Sequence, residues 1–253
     1  MLFDTHAHYD SGAFNADRME ILASMPEQGV ELILNPGCDL ESSRTAVSLA
    51  DHFPFVYAAV GVHPSDCETY TDEVEQAFLQ LAENPKVRAI GEIGLDYYWK
   101  DNAPAETQKA VFRRQMELAR SLNLPVIVHD REAHRDCLEI VKEYPDVKGV
   151  YHCYSGSLED AKVLVKLGWM LSFTGVVTYK NARKSLEVIE WLPMDRLMIE
   201  TDSPYLTPEP FRGKRNDSGK VGLVAETIAR VKGLTVEEVI AITTEYGKRF
   251  FRI

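Results

Sequence analysis

The chain alternates short apolar runs with longer amphipathic segments along its whole length. Eight runs have the length and the β-branched or aromatic content typical of strands. They lie at residues 2–5, 30–34, 55–60, 87–90, 125–128, 149–151, 169–173 and 197–199. Several of them are nearly continuous in apolar residues, which is typical of parallel strands whose outer face is covered. The pattern therefore predicts a parallel sheet covered by helices.

The segments between the runs carry signals for helix starts. Thr71 precedes a cluster of acidic residues, and Pro104 opens a long amphipathic segment. Ser157 and Thr235 each precede an acidic residue three positions later, as in a capping box. Gly168 is placed to end the helix that Ser157 begins. Helices are therefore predicted between successive strands.

Eight strand–helix units in 253 residues predict an α/β fold of the TIM (β/α)8 barrel type. A doubly wound open sheet would give the same alternation. The barrel is favoured because no Gly-x-Gly-x-x-Gly follows the first run and because polar residues end runs over the whole chain. Since no linker or low-complexity tract interrupts the pattern, a single domain over residues 1–253 is expected.

Composition and charge narrow the class of protein. The chain is 45% hydrophobic, 26% charged and carries a formal net charge of −11. This acidity argues against a protein that coats nucleic acid without specificity, although it does not exclude a nuclease with a local basic patch. Four cysteines are far apart and form no Cys-x-x-Cys: Cys38, Cys67, Cys137 and Cys153. They predict neither a disulfide framework nor a thiolate zinc site.

The cellular location is expected to be the cytoplasm. Scattered thiols are typical of a reducing compartment. The first run is too short for the apolar core of a signal peptide, so none is expected. The most apolar long window, residues 53–62, contains Pro54 and Gly61. It is about half as long as a membrane-spanning helix. No membrane association is therefore expected.

Residues that bind metals or transfer protons stand at the ends of the predicted strands. These residues are His6, His8, His63, Glu92, His129, His152 and Asp202. On an extended strand His6 and His8 point to the same face, where two imidazoles suit Zn²⁺ or Mn²⁺. The carboxyl ends of barrel strands share one mouth, so we expect all seven side chains to converge there.

Each of these residues has a structural alternative when it is taken alone. His129 or His152 would also fit a hydrogen-bonded core histidine, Glu92 an ion pair with Arg131, and Asp202 a turn. Together they favour a metal site, because unpaired buried charges are costly. The remaining histidines, His52 and His134, fall in helical segments and are expected to be solvated.

Five strings carry a resemblance to a known family. They are Asp4-Thr5-His6-Ala7-His8, Gly61-Val62-His63-Pro64, Gly91-Glu92-Ile93-Gly94-Leu95-Asp96-Tyr97, His152-Cys153-Tyr154-Ser155-Gly156 and Glu200-Thr201-Asp202-Ser203-Pro204-Tyr205-Leu206. The chain resembles the TatD family of metal-dependent hydrolases, which belongs to the amidohydrolase-like barrels. It departs from the family's usual pattern at Tyr154, Ser218 and Tyr246, where Phe, Pro and Asn are usual.

The resemblance implies two divalent metal ions, either Zn²⁺, Mg²⁺ or Mn²⁺. His6, His8 and Asp202 would hold one ion, His129 and His152 the other, and Glu92 would bridge them. The catalytic residues would be Asp202, Glu92 and His63. Asp202 would be the general base, and His63 would contact the scissile phosphate or act only in structure.

The activity that the resemblance implies is that of a TatD-type deoxyribonuclease, trimming single-stranded DNA from the 3′ end. Hydrolysis of D-aminoacyl-tRNA is an alternative within the family. Another metal-dependent ester or amide hydrolase is a further alternative, although such barrels commonly bridge their metals with a carboxylated Lys. The non-enzymatic alternative is a binding module stabilised by metal. No obligate protein partner is inferred.

Two stretches are candidates for binding the DNA substrate. Tyr97 begins the aromatic string Tyr97-Tyr98-Trp99, whose rings could stack on bases or on each other. Arg212, Lys214 and Arg215 form the densest positive cluster of the chain and would bind phosphates, although an ordinary solvated loop would look the same.

Overall fold

Eight parallel strands form a nearly closed barrel in the computed structural model, which describes all residues 1–253. The strands pair in chain order. They are β1 (Leu2–Asp4), β2 (Val30–Pro36), β3 (Val56–Val60), β4 (Val87–Asp96), β5 (Val126–Arg131), β6 (Gly149–Tyr151), β7 (Met170–Phe173) and β8 (Leu197–Ile199). The predicted barrel is confirmed, and the open sheet is excluded by this strand order.

Hydrogen bonds beyond the regular strands close the barrel between β8 and β1. The Thr5 N–H donates to the Ile199 carbonyl at 3.2 Å, and the Asp202 N–H donates to the His6 carbonyl at 2.9 Å. The His8 N–H then donates to the Ser203 carbonyl at 2.7 Å. The backbone that carries the first two histidines is thus fixed against the segment that follows β8.

Nine α-helices surround the barrel. They are α1 (Arg18–Ser24), α2 (Leu40–His52), α3 (Asp72–Leu81), α4 (Ala105–Leu122), α5 (His134–Glu143), α6 (Leu158–Lys166), α7 (Arg183–Trp191), α8 (Val221–Lys232) and α9 (Val236–Phe251). The predicted caps Thr71, Ser157 and Thr235 each accept a hydrogen bond from the backbone N–H three residues later. None of the nine combines the length and the apolar character needed to cross a bilayer.

Each strand buries side chains on both faces. One residue from every strand enters the barrel interior, where Phe251 of α9 joins them: Phe3, Leu34, Ala59, Ala89, Ile127, Val150, Met170 and Met198. Their neighbours on the strands point outward into a larger apolar layer beneath the helices. This two-sided burial explains why the strands are nearly continuous in apolar residues.

The fourth strand is longer than its apolar run predicts. The pairing of Ile90 with Val126 and of Ile93 with Val128 leaves one extra residue on β4, which is a β-bulge. Gly94 lies beyond the bulge with φ +141°, and a Cβ there would stand 2.0 Å from the His129 carbonyl oxygen. Only glycine permits this close approach, through which β4 continues as far as Asp96.

Candidate metal centre

A cavity of about 710 Å³ opens at the carboxyl ends of the strands. Five of the six predicted ligands line it, namely His8, Glu92, His129, His152 and Asp202. His6 is completely buried beside them. They come from β1, β4, β5, β6 and β8 or from the residues that follow these strands. The convergence expected from a barrel mouth therefore occurs in the folded chain.

Glu92 stands between two pairs of imidazoles and faces each pair with a different oxygen. Its Oε2 lies 3.3 Å from His6 Nε2 and 3.4 Å from His8 Nε2. Its Oε1 lies 2.7 Å from His129 Nδ1 and 2.8 Å from His152 Nε2. The bulge in β4 places this carboxylate in the mouth, and its two oxygens divide the cluster into two halves.

Asp202 adds a carboxylate to the half that holds His6 and His8. Its Oδ1 lies 3.7 Å from His6 Nε2 and 3.5 Å from His8 Nε2. The residue has φ 55°, in the left-handed region. Asp tolerates this conformation better than most residues. The hydrogen bond from the Asp202 N–H to the His6 carbonyl fixes the position of Asp202.

The donor set fits divalent cations. His6 Nε2 and His8 Nε2 are only 3.0 Å apart, and His129 Nδ1 and His152 Nε2 are 3.2 Å apart. Two imidazole lone pairs this close repel each other unless a proton or a cation lies between them. Three groups of three side chains have ligand atoms within 4.8 Å of one another. Imidazole and carboxylate donors suit Zn²⁺ and Mn²⁺.

The electrostatics keep the carboxylates ionised. Burial alone would raise the pKa of Glu92, but His152, His6 and His63 hold it well below its usual range. Burial likewise opposes the ionised form of Asp202, yet its neighbours, above all His8, lower its pKa. Two buried negative charges in one mouth require positive charge beside them, which is what a bound cation supplies.

Buried acceptors orient several of the ring nitrogens that face away from the cluster. His8 Nδ1 lies 3.2 Å from the Pro36 carbonyl oxygen, and His129 Nε2 lies 3.1 Å from Asp96 Oδ2. Such partners fix the tautomer and the ring orientation of a metal-binding histidine. His152 Nδ1 lies 3.5 Å from Glu200 Oε1, a charge contact without a hydrogen bond.

Sequence reasoning missed the roles of Asp96 and Glu200. Both stand in strings that resemble the TatD family, but the sequence does not indicate which side chain each of them contacts. Asp4 is a third buried acid, but it contacts backbone N–H groups and no histidine ring. It accepts from the Thr201 N–H at 2.9 Å, and burial raises its pKa to about 7. Asp4 thereby ties the backbone at His6 to the segment that carries Asp202.

His63 lies in the cavity next to the cluster. Its Nε2 is 3.6 Å from Glu92 Oε1, and its Nδ1 accepts from the Ser65 N–H at 3.1 Å. Burial and the neighbouring His129 lower the pKa of His63 to about 3. The ring is therefore neutral, and its proton lies on Nε2, the nitrogen that faces the cluster.

The other proposed substrate contacts do not reach the cavity. The Tyr97 hydroxyl donates to Asp136 at 2.9 Å, because the ring turns toward α5. Arg215 binds Asp17 and the Ala13 carbonyl oxygen. Arg212 lies over the Tyr179 ring, and Lys214 lies near Phe211. Of the aromatic string, only Trp99 lines the cavity.

Comparison with known proteins identifies the family. A family model described as TatD related DNase matches residues 3–252. The chain belongs to the TatD family. The uncharacterized metal-dependent hydrolase YabD of Bacillus subtilis is 46% identical over the full length of both chains. The 3'-5' ssDNA/RNA exonuclease TatD of Escherichia fergusonii is 33% identical, and the match covers 100% of this chain and 99% of the relative.

Solved structures agree with this assignment. The crystal structure of YJJV, a TatD homologue of Escherichia coli, has a TM-score of 0.93 and 31% identity, covering 100% of this chain and 98% of the other. A TatD-family hydrolase from Entamoeba histolytica shares the fold, with a TM-score of 0.86 at 23% identity. The chain is accordingly a metal-dependent hydrolase, with a mouth whose side chains are able to bind metal.

Proposed function

We infer that this hydrolase is a nuclease that uses two divalent ions and trims single-stranded DNA from its 3′ end. The observation that carries the proposal is the division of the cluster by Glu92, whose two oxygens face two pairs of imidazoles. Two-metal sites are typical of enzymes that cleave phosphodiesters. Relatives named 3'-5' ssDNA/RNA exonuclease support the polarity and the substrate class.

The contacts of the two Glu92 oxygens support one assignment of ligands. His6, His8 and Asp202 would hold one ion, His129 and His152 the other, and Glu92 both. Divalent ions at these positions would acidify water and neutralise charge on a phosphoryl oxygen.

Two side chains then act on the substrate. Asp202, kept ionised, takes the proton of the attacking water as its oxygen bonds to phosphorus, and the bond from phosphorus to the leaving oxygen breaks. The neutral His63 donates its Nε2 proton in a hydrogen bond to a phosphoryl oxygen.

The dimensions of the cavity support action on a strand end. A volume of about 710 Å³ lies within the range of sites that enclose one small ligand. It would admit a terminal nucleotide and exclude a double helix. A terminal nucleotide can enter only when it is unpaired, so single strands would be preferred.

An ester of D-aminoacyl-tRNA is the second candidate substrate. Four apolar residues line one part of the cavity: Phe173, Val176, Val177 and Leu206. This surface would suit the side chain of an aminoacyl group. The same carboxylate and metal sites would hydrolyse a carboxylic ester.

Parallel turnover assays distinguish the candidates. The purified protein is incubated with single-stranded DNA, double-stranded DNA and D-aminoacyl-tRNA, with Mg²⁺, Mn²⁺ or Zn²⁺ and with a chelator. We expect metal-dependent release of nucleotides from single strands, starting at the 3′ end. The Asp202→Asn variant, purified identically, controls for contaminating nucleases. Faster hydrolysis of D-aminoacyl-tRNA than of any DNA would overturn the nuclease assignment.

A further inference from the structure

Arg131 is the only arginine or lysine that lines the cavity. It ends β5, directly after the pair His129 and Asp130. Carboxylates line the same cavity, among them Asp66 and Asp202. A phosphate group that enters this acidic space meets one permanent positive charge from the protein. Arginine is suited to that contact because its planar fork of N–H groups matches phosphate oxygens.

The guanidinium group of Arg131 is held by aromatic rings and by no carboxylate. It lies 3.9 Å from the centroid of the Tyr98 ring and 5.3 Å from that of the Trp99 ring. Its side chain forms no intramolecular salt bridge or hydrogen bond, so its N–H donors remain free for a ligand. The stacking fixes the plane of the group and leaves its edge open.

The loop that carries these rings is anchored although the rings are exposed. Asp96 Oδ1 accepts from the Tyr98 N–H at 2.9 Å and from the Trp99 N–H at 3.3 Å. Asn102 donates to the Asp96 carbonyl oxygen at 3.1 Å. Even so, 55% of Trp99 is exposed to solvent. An indole kept in water by a fixed loop, at the edge of a cavity, is placed to contact a ligand.

The basic cluster of residues 212–215 lies elsewhere. None of its side chains lines the cavity, and Arg215 is already paired with Asp17. Although positive charge is denser in that loop, it is less available to a substrate in the mouth.

We propose that Tyr98, Trp99 and Arg131 form a rim platform that binds the nucleotide next to the scissile bond of a single-stranded nucleic acid. Trp99 stacks on the base, and Arg131 donates hydrogen bonds to the adjoining phosphate. The proposal rests on the proposed nuclease function for the position of the scissile bond. The platform accepts any base, because every base offers a π face. It therefore contributes to affinity and to strand selection without sequence specificity.

Fluorescence titration of the metal-loaded protein tests the platform without turnover. The chain has three tryptophans, of which Trp169 is buried and Trp191 lies on α7 outside the cavity. In a Trp191→Phe background, a short oligothymidylate with a phosphorothioate 3′ end should quench the emission of Trp99. The affinity of each variant is measured by the anisotropy of the same oligonucleotide with a dye at its 5′ end, a signal that does not depend on Trp99. Removing one base–aromatic stack weakens binding by about 5- to 150-fold, so Trp99→Ala should lower affinity by that factor.

An abasic oligonucleotide separates stacking from loop structure. When the base next to the 3′-terminal linkage is missing, wild type and Trp99→Ala should bind with equal affinity. Trp191→Ala is the matched control, since Trp191 also carries a nearby lysine, Lys162, at 5.9 Å from its ring. This control should bind both oligonucleotides as wild type does.

Substitutions of Arg131 test the phosphate contact. Arg131→Ala should flatten the slope of log K against log salt by about 0.7. Arg131→Lys should restore that slope but only part of the affinity, because an ammonium group does not stack in the same way. In turnover assays both variants should raise the Michaelis constant for DNA and leave kcat nearly unchanged.

The outcomes separate this proposal from the nuclease assignment. Equal weakening of the normal and the abasic oligonucleotide by Trp99→Ala would overturn the platform, even if the enzyme degrades DNA. An unchanged salt slope in Arg131→Ala would do the same for the phosphate contact. Base-dependent binding without any hydrolysis of nucleic acid would support the platform and overturn the nuclease function.

Discussion

Glu92 connects the two halves of the candidate metal centre. It is the only side chain whose oxygens approach all four imidazoles of the cluster, at distances between 2.7 and 3.4 Å. We expect Glu92→Ala to lower the occupancy of both ions, whereas His129→Ala should lower mainly one. Elemental analysis after gel filtration measures both. Loss of only one ion from the Glu92 variant would leave it as an ordinary ligand.

Asp202 permits a test that separates chemistry from folding. Asn has nearly the same shape and also tolerates the left-handed conformation that Asp202 adopts at φ 55°. Asp202→Asn should therefore keep the fold but lower turnover by at least about a hundredfold, because the amide cannot accept the proton. Turnover is measured with saturating metal, and circular dichroism controls for the fold. Full activity under these conditions would exclude Asp202 as the base.

The identity of the clustered residues was predictable from the sequence, but their supporting partners were not. His6, His8, Glu92 and Asp202 end strands, and strand ends of a barrel meet in one mouth. The contact of Asp96 with His129 depends instead on the directions of the two side chains, which the positions of the residues in the sequence do not indicate. Charge density indicated Arg212, Lys214 and Arg215 as phosphate contacts, and none of them lines the cavity. Arg215 is held by Asp17, which lies 198 residues away in the chain.

The end of β4 contacts both the candidate metal centre and the loop of the proposed rim platform. Asp96 Oδ2 contacts His129 Nε2, while Asp96 Oδ1 accepts from the loop that carries Trp99. Two glutamines of α4 hold this region in place: Gln108 binds the Asp96 backbone, and Gln115 binds both backbone groups of Val62. A helix packed behind the strands, through two of its buried side chains, thus fixes two of the loops that form the mouth.

Two substitutions of Asp96 should separate its functions. Asp96→Asn keeps one acceptor oxygen for the loop and loses the carboxylate beside His129, so it should weaken metal binding by about 10- to 100-fold. Asp96→Ala should do the same and also weaken DNA binding, because the loop amides lose their acceptor. Competition with a chromogenic chelator measures the metal affinity. Wild-type metal affinity in both variants would contradict a role in orienting His129.

The junction of β5 and α5 contains a pH-dependent pair. His134 Nδ1 lies 2.9 Å from Asp130 Oδ2, so this histidine is not simply solvated as its helical segment suggested. The hydrogen bond to Asp130 raises the pKa of His134 despite partial burial. Stability from the pair is then fully present below the unfolded pKa of about 6.5 and is lost as pH rises through the higher folded pKa.

His134→Asn should accordingly lower the urea midpoint more at about pH 6 than at about pH 9. His134→Asn in an Asp130→Asn background is the matched control and should show a smaller difference, because the carboxylate that contacts His134 is absent. Midpoints at a series of pH values, each compared with wild type at the same pH, give the measurement. A constant difference across the series would mean that protonated His134 adds nothing through Asp130.

The mouth and the interior of the barrel differ in the side chains that they carry. The carboxyl ends of the strands carry the acids and histidines. Inside the barrel, one apolar side chain from each strand meets Phe251 of the last helix. The fold was predictable because strands buried on both faces consist of nearly continuous apolar residues, which the sequence shows directly. The bulge in β4 was not, since its glycines and Glu92 interrupt the run that would mark a strand.

This division predicts that the barrel interior can be weakened without altering the chemistry. Phe251 is 1% exposed, and its ring centroid lies 6.1 Å from that of Phe3. Phe251→Ala should lower the free energy of unfolding by about 3–5 kcal/mol, through lost burial and the cavity left behind. Phe211→Ala, a control at an exposed phenylalanine, should change it by less than about 0.5 kcal/mol. Urea unfolding measures both variants.

Below its unfolding temperature Phe251→Ala should keep the kcat and metal content of wild type, because every predicted ligand lies at the mouth. A fall in kcat with the fold intact would show that packing around Phe251 positions the metal centre.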